Sequence, residues 1–139
     1  MIVALDTSAA VPYVVASHGA HRAVRRHLDG REVVLTQHSL VESYSVLTRL
    51  PGDARVAPSD AVRLIDANFG EPSLLTAEDA ASVPRILAAA EIAGGATYDA
   101  LVALAARASR LPLVTRDLRA APTYLALGVD IEVIGDLPS

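Results

Sequence analysis

The sequence contains no cysteine and no lysine. The first absence excludes disulfides and thiolate metal sites, and it leaves the redox compartment unreadable. The second removes every chemistry that needs an ε-ammonium group. No Gly-x-x-x-x-Gly-Lys phosphate loop occurs. A receiver domain would lack the lysine it needs at its last strands. An Asp-x-Asp phosphatase fails on the same ground and again because position 8 is Ser8. Long apolar runs are also missing. The longest, Ala100 to Ala106, is too short to span a bilayer. Met1-Ile2-Val3-Ala4-Leu5-Asp6 has no basic segment followed by a long apolar stretch, so it does not read as a secretion signal. A soluble cytoplasmic protein without membrane contact is expected. A basic excess is lacking too, since the net charge is −4. Nucleic-acid binders usually carry such an excess, so any affinity for phosphates depends on a local patch. The 12 basic residues are all arginine, which suits bidentate phosphate contacts, although biased genome composition produces the same pattern.

What is present suits a single α/β domain over 1–139. The chain has 139 residues, 52% of them hydrophobic, enough for a core of its own. Ile2-Val3-Ala4-Leu5 reads as a buried strand ending at an Asp6-Thr7-Ser8 turn, with Pro12 near the first turn of the helix that follows. Ala20 to Leu28 reads as a helix carrying Arg22, Arg25 and Arg26, and Val33-Val34-Leu35 as a second strand. Thr36 to Leu50 forms a helix stopped by Pro51-Gly52, and Pro58 opens another. Ser73-Leu74-Leu75 is a weak third strand. Thr76 caps a helix running to Ala93, bent or restarted near Ser82 and Pro84. Thr97 caps a helix from Tyr98 to about Ser109, and Leu113-Val114-Thr115 is the fourth strand. Leu118 to Leu127 is helical up to Gly128, and Ile131-Glu132-Val133-Ile134 is the last strand. Short apolar strands alternating with helices imply a parallel sheet covered on both faces. Ligands of such folds bind beyond the carboxyl ends of the strands, where the strand order reverses.

Four acids stand out against this frame. Asp6 follows the first strand and Asp117 the fourth, so both face one crevice if those strands flank the switch point. Asp99 lies in the first turn of an almost wholly apolar helix, and Glu42 sits among Leu40, Val41, Val46 and Leu47. Plainer roles are open to each. Asp6 and Asp117 can be helix N-caps, Asp99 a first-turn acid favoured by the helix dipole, and Glu42 a border residue paired with Arg49 or water. A buried Asp99 needs a partner, and the nearest arginine in its own helix, Arg107, is more than two turns away. Taken together, four converging carboxylates repel one another, and a divalent cation resolves the conflict. Mg²⁺ takes hard oxygen ligands and keeps waters for substrate phosphates. The pattern therefore points to metal-assisted phosphodiester hydrolysis, with a non-catalytic binding or regulatory module as the alternative.

These residues resemble the PIN-domain ribonucleases and, within them, the VapC toxins of toxin–antitoxin pairs. The resemblance rests on four blocks in order: Met1 to Ala9, Val41 to Leu50, Ala96 to Ala103 and Leu113 to Ala120. Ala121-Pro122-Thr123-Tyr124 and Leu127-Gly128-Val129 fit the family's tail. It implies a three-layer αβα fold with about five parallel strands in order 3-2-1-4-5. It implies that Asp6, Asp99 and Asp117 hold Mg²⁺ or Mn²⁺, with Glu42 binding directly or through water. Thr7 and Thr115 would orient the carboxylates by hydrogen bonds. The reaction implied is endonucleolytic cleavage of structured RNA (transfer or ribosomal), leaving a 5′-phosphate and a 3′-hydroxyl. The implied partners are a cognate antitoxin and a second copy of the chain. For RNA contact, Arg116 and Arg119 beside the acids are one candidate pair, and Arg22, Arg25 and Arg26 are a second cluster whose plainer role is a solvated helix face.

Overall fold

The structure, a computed structural model, describes residues 1–135; the last four positions of the 1–139 domain lie outside them. Two strands lead the sheet. β1 (Ile2–Leu5) pairs in parallel with β2 (Glu32–Leu35), Val3 opposite Val33 and Leu5 opposite Leu35. β3 (Leu113–Thr115) lies along the other side of β1, and β4 (Ile131–Val133) lies beyond it. The order is β2-β1-β3-β4. Helices fill the connections: α1 (Thr7–Val14), α2 (His21–His27), α3 (Gln37–Thr48), α4 (Pro58–Asn68), α5 (Ala77–Ala89), α6 (Ala96–Ala108) and α7 (Ala121–Ala126).

Alternation along the strands divides the apolar residues between two cores. Val3, Leu5, Val33, Leu35 and Val114 pack with Ala9, Ala10, Val24, Leu47 and Ile65 of α1 to α4. Ala4, Val34 and Leu113 pack with Leu87, Leu104 and Tyr124 of α5 to α7. The sheet is thus covered on both faces, which explains why its strands are apolar at every inner position. Val3 and Leu5 are fully buried, a contribution of roughly 1.5–3 kcal/mol each. That burial anchors the strand on whose end Asp6 sits. Among the described residues no helix is long and apolar enough to cross a membrane.

Among the described residues the sheet has four strands rather than five. Ser73-Leu74-Leu75 lies beside β2, where the expected order puts it, but pairs through a single parallel bridge, Thr36 with Ser73. Ser73 donates to the Leu35 carbonyl and accepts from Gln37 N, both at 2.8 Å. Pro72 brings no N–H to the ladder, Leu74 turns outward, and Thr76 already caps α5 by accepting from Asp79 N. Too little chain is left between them for a strand.

Several helix boundaries also differ. Asp6 accepts from Ala9 N and so starts α1 at Thr7, which places Pro12 in the second turn instead of the first. Pro12 cannot donate to the Ser8 carbonyl four residues back; Arg116 Nη1 approaches that carbonyl at 3.5 Å. α5 runs through Pro84 unbroken and stops at Ala89, short of Ala93. α6 starts at Ala96 with Gly95 as its N-cap and no side-chain cap, so Thr97 lies inside it. α7 starts at Ala121, because Asp117 holds Leu118 to Ala120 in a turn: its Oδ1 accepts from Arg119 N and its carbonyl from Ala120 N. Gly128, at φ +79°, closes that helix as its position suggested.

Candidate active site

β1 and β3 are neighbours, and Asp6 N donates to the Val114 carbonyl across them at 3.2 Å. The residues just past their ends therefore meet at the point where the order reverses. A cavity of about 440 Å³ opens there, lined by Asp6, Glu42, Asp99 and Asp117 together with Ser8, His38, Tyr98, Arg119 and Tyr124. The four acids come from four separate segments. Asp6 follows β1 and Asp117 follows β3. Glu42 is brought in by α3, whose Ser39 closes a capping box with Thr36 and donates to the Leu5 carbonyl at 2.9 Å. Asp99 is placed by α6, anchored through its buried face of Ala100 and Val102 to Ala106.

Asp6 is the most enclosed of them, 4% exposed. Its Oδ1 accepts from Ser8 Oγ at 2.6 Å and Ala9 N at 3.2 Å. Its Oδ2 accepts from Tyr124 OH at 2.8 Å and from Thr115 Oγ1. Burial raises its pKa above the ordinary aspartate value, and those hydrogen bonds oppose the rise. Burial, then the facing Asp6 carboxylate, holds the Tyr124 phenol protonated far above its usual range. Thr115 couples two of the acids, since its hydroxyl donates to Asp6 and accepts from Asp117 N at 2.9 Å. Thr115, expected to orient the carboxylates, thus touches both Asp6 and the Asp117 backbone. Among the described residues Thr7 makes no such contact: its hydroxyl is buried without a hydrogen-bond partner there. Ser8, two residues after Asp6, stands in its place.

Asp99 is paired, and not by its own helix. Arg119 bridges it and Asp117, with Nη1 at 3.2 Å from Asp99 Oδ2 and Nη2 at 2.9 Å from Asp117 Oδ2. Partial burial raises the Asp99 pKa, the Arg119 guanidinium lowers it, and Asp117 and Glu42 push it up again. Glu42 pairs with His38 Nε2 at 3.4 Å, not with Arg49. The His38 ring in turn stacks on Tyr98, with centroids 5.6 Å apart.

Sequence reasoning missed Ser8, His38 and Tyr124 as parts of the site. The first two left signals, a hydroxyl two residues after a capping aspartate and an i,i+4 pair on α3. Tyr124 left none, because it reaches Asp6 across 118 positions of chain. Arg119 was noted beside the site, but its pairing with Asp99 was not foreseen.

The acids surround the cavity without closing on a point: among the described residues, no group of three His, Asp or Glu side chains is gathered tightly enough to hold an ion as it stands. Their chemistry still suits a hard cation. The acidic donors are all carboxylate oxygens, and the cavity leaves room for the waters that Mg²⁺ retains.

A parallel sheet covered on both faces, with acids beyond its carboxyl edge, defines an α/β class of protein, and the relatives narrow it. The PIN domain family model matches residues 3–124, and the chain belongs to that family, among its VapC-type members. It is similar to Ribonuclease VapC27 of Mycobacterium tuberculosis, 52% identical over 130 residues that cover 94% of this chain and 95% of that one. Among solved structures it resembles VapBC2 from Rickettsia felis bound to a DNA fragment from its promoter. That match has a TM-score of 0.64, 15% identity, and covers 96% of this chain and 98% of the other. It also resembles VapBC-5 from Mycobacterium tuberculosis, of the VapBC family of toxin–antitoxin systems. There the TM-score is 0.56, with 20% identity, and 97% and 98% of the two chains are covered. These two likenesses speak to the fold.

Proposed function

We propose that this chain is a Mg²⁺-dependent endoribonuclease and the toxin of a VapBC-type toxin–antitoxin system. It cleaves structured RNA, transfer or ribosomal, and so inhibits translation. A cognate antitoxin restrains it, and it pairs with a second copy of itself. The observation that carries this reading is the meeting of Asp6, Glu42, Asp99 and Asp117 around one cavity at the carboxyl ends of β1 and β3.

Asp6, Asp99 and Asp117 would hold the ion, Mg²⁺ with Mn²⁺ as a substitute, and Glu42 would reach it directly or through water. The bound ion supplies charge neutralisation among the carboxylates and polarisation of an attacking water. The protein's own groups do the rest. Ser8, Thr115 and Tyr124 fix the Asp6 carboxylate in one orientation. Thr115 sets Asp117 relative to it. Glu42, half-exposed beside His38, lies where an RNA strand can reach. Arg119 offsets the charge of Asp99 and Asp117.

Arg119 also favours a second reading. It compensates two of the acids with no ion at all, as a binding or regulatory module of the same fold would require. Incubating total RNA with the purified chain over a series of Mg²⁺ and Mn²⁺ concentrations separates the two. The ribonuclease reading expects cleavage that falls to background in Asp6→Asn, with 5′-phosphate ends on the products. Intact RNA at every metal concentration would leave the module reading standing alone.

A further inference from the structure

Thr115, Arg116 and Asp117 pass consecutively beyond β3 and serve two different cavities. Asp117 lines the acidic one and Thr115, buried behind it, holds Asp6, while Arg116 lines a second, of about 450 Å³, with His18, Arg22 and Arg26. Ser8 stands in the wall between the two. Its hydroxyl donates to Asp6 and accepts from Arg116 N at 2.8 Å, and its carbonyl lies 3.5 Å from Arg116 Nη1.

The second cavity is built for an anion. None of the described residues lining it is acidic. Arg22 and Arg26 are exposed and four apart on α2, an arrangement in which like charges repel, and among the described residues neither has an acidic partner. His18 accepts from Ala20 N through Nδ1 at 3.0 Å, which leaves Nε2–H as its donor when the ring is neutral. Burial first, and then Arg116 and His21, hold its pKa below the ordinary histidine value. Two other arginines flagged by the sequence are excluded. Arg25 donates to the Tyr13 carbonyl and Asn68 Oδ1 and lies 3.7 Å over the Tyr13 ring. Arg119 is held by Asp99 and Asp117.

We propose that His18, Arg22 and Arg26, lining this cavity beside Arg116, form a phosphate subsite that holds a backbone phosphate of the RNA strand adjoining the one presented to the acidic cavity. This rests on the ribonuclease reading above. It explains how an acidic chain can hold a polyanion: the repulsive catalytic cavity is flanked, across one residue of wall, by a cationic one.

The test measures binding of fluorescently labelled oligouridine to the full chain across a salt series, for the wild type, Arg22→Ala/Arg26→Ala and a control of the same net charge, Arg63→Ala/Arg85→Ala. Loss of that one phosphate contact lowers the slope of log affinity against log salt by about 0.7 and weakens binding several-fold at low salt. The control should match the wild type. A neutral methylphosphonate walked along the oligonucleotide should weaken wild-type binding at one position and leave the Arg22/Arg26 variant unchanged there. The Mg²⁺-induced shift in melting temperature should be the same in all three proteins, since the subsite does not hold the ion. Equal weakening of both double variants would reduce the effect to net charge and overturn the subsite. RNA cleavage with an unaltered salt slope in Arg22→Ala/Arg26→Ala would overturn the subsite and spare the ribonuclease reading. A wild type that neither binds nor cuts RNA would overturn both.

Discussion

Tyr124→Phe removes one oxygen from the most enclosed part of the site and leaves the ring in its packing. The lost O–H donates at 2.8 Å to Asp6 Oδ2, and both residues are buried. A hydrogen bond to a charged group contributes about 1.5–3 kcal/mol net. Asp6 keeps its contacts with Ser8, Ala9 and Thr115, so about 2 kcal/mol is the expected loss for a metal-free protein at neutral pH. For a chain of this size that lowers the melting temperature by roughly 8 °C. The pH dependence carries a sign. Burial raises the folded-state pKa of Asp6 above 3.8, and Tyr124 opposes that rise by favouring the ionised form. A group with a raised folded pKa contributes stability that is full below its unfolded pKa and is lost as pH climbs through the folded one. Without Tyr124 the folded pKa rises further, so more is lost. The gap between wild type and variant should be smallest below the unfolded value and widen as Asp6 ionises, then stay constant. Urea denaturation in EDTA over a pH series measures it. A gap near zero at neutral pH, or one that is larger in acid, would refute this account of how Asp6 is held.

Saturating Mg²⁺ should stabilise the wild type, by about 2.7 kcal/mol at a hundredfold excess over Kd, seen as a melting shift of roughly 10 °C; Asp99→Ala should lose most of it, and an unchanged shift would remove Asp99 from the ligand set. Arg119→Ala should tighten Mg²⁺ binding in titration calorimetry, because the guanidinium no longer competes for Asp99 and Asp117; weaker binding would mean that Arg119 assists the ion. Arg25→Ala should destabilise the fold by about 1–2 kcal/mol through its lost hydrogen bonds and ring contact, whereas Arg22→Ala should leave chemical denaturation unchanged. In EDTA, the raised pKa of Asp99 makes it stabilising below its unfolded value and progressively less so as pH rises through the folded one, so Asp99→Asn should flatten that part of the pH–stability curve.

Local chemistry made much of this protein legible from its sequence. Apolar runs such as Val33-Val34-Leu35 suit strands buried on both faces of a covered parallel sheet, and Asp6 and Asp117 each lie just past the end of a short buried strand, so their place at one edge of the sheet followed from topology. The shortening of the third strand could be read in part from Pro72 and Thr76. Contacts between residues distant in the chain were decided only by the fold, because nothing in the local pattern encodes them. Arg119 meets Asp99 because α6 and the turn after β3 converge on the same cavity. Tyr124 meets Asp6 because α7, packed on α6 and β4, brings it into the core that also holds Ala4 of β1. Helical spacing put Arg22, Arg25 and Arg26 in one cluster, yet the position of Tyr13 and Asn68 turned Arg25 into a structural residue and left its two neighbours beside Arg116. Periodicity assigns a residue to an element and a side; what that side meets depends on which other segments the core brings against it.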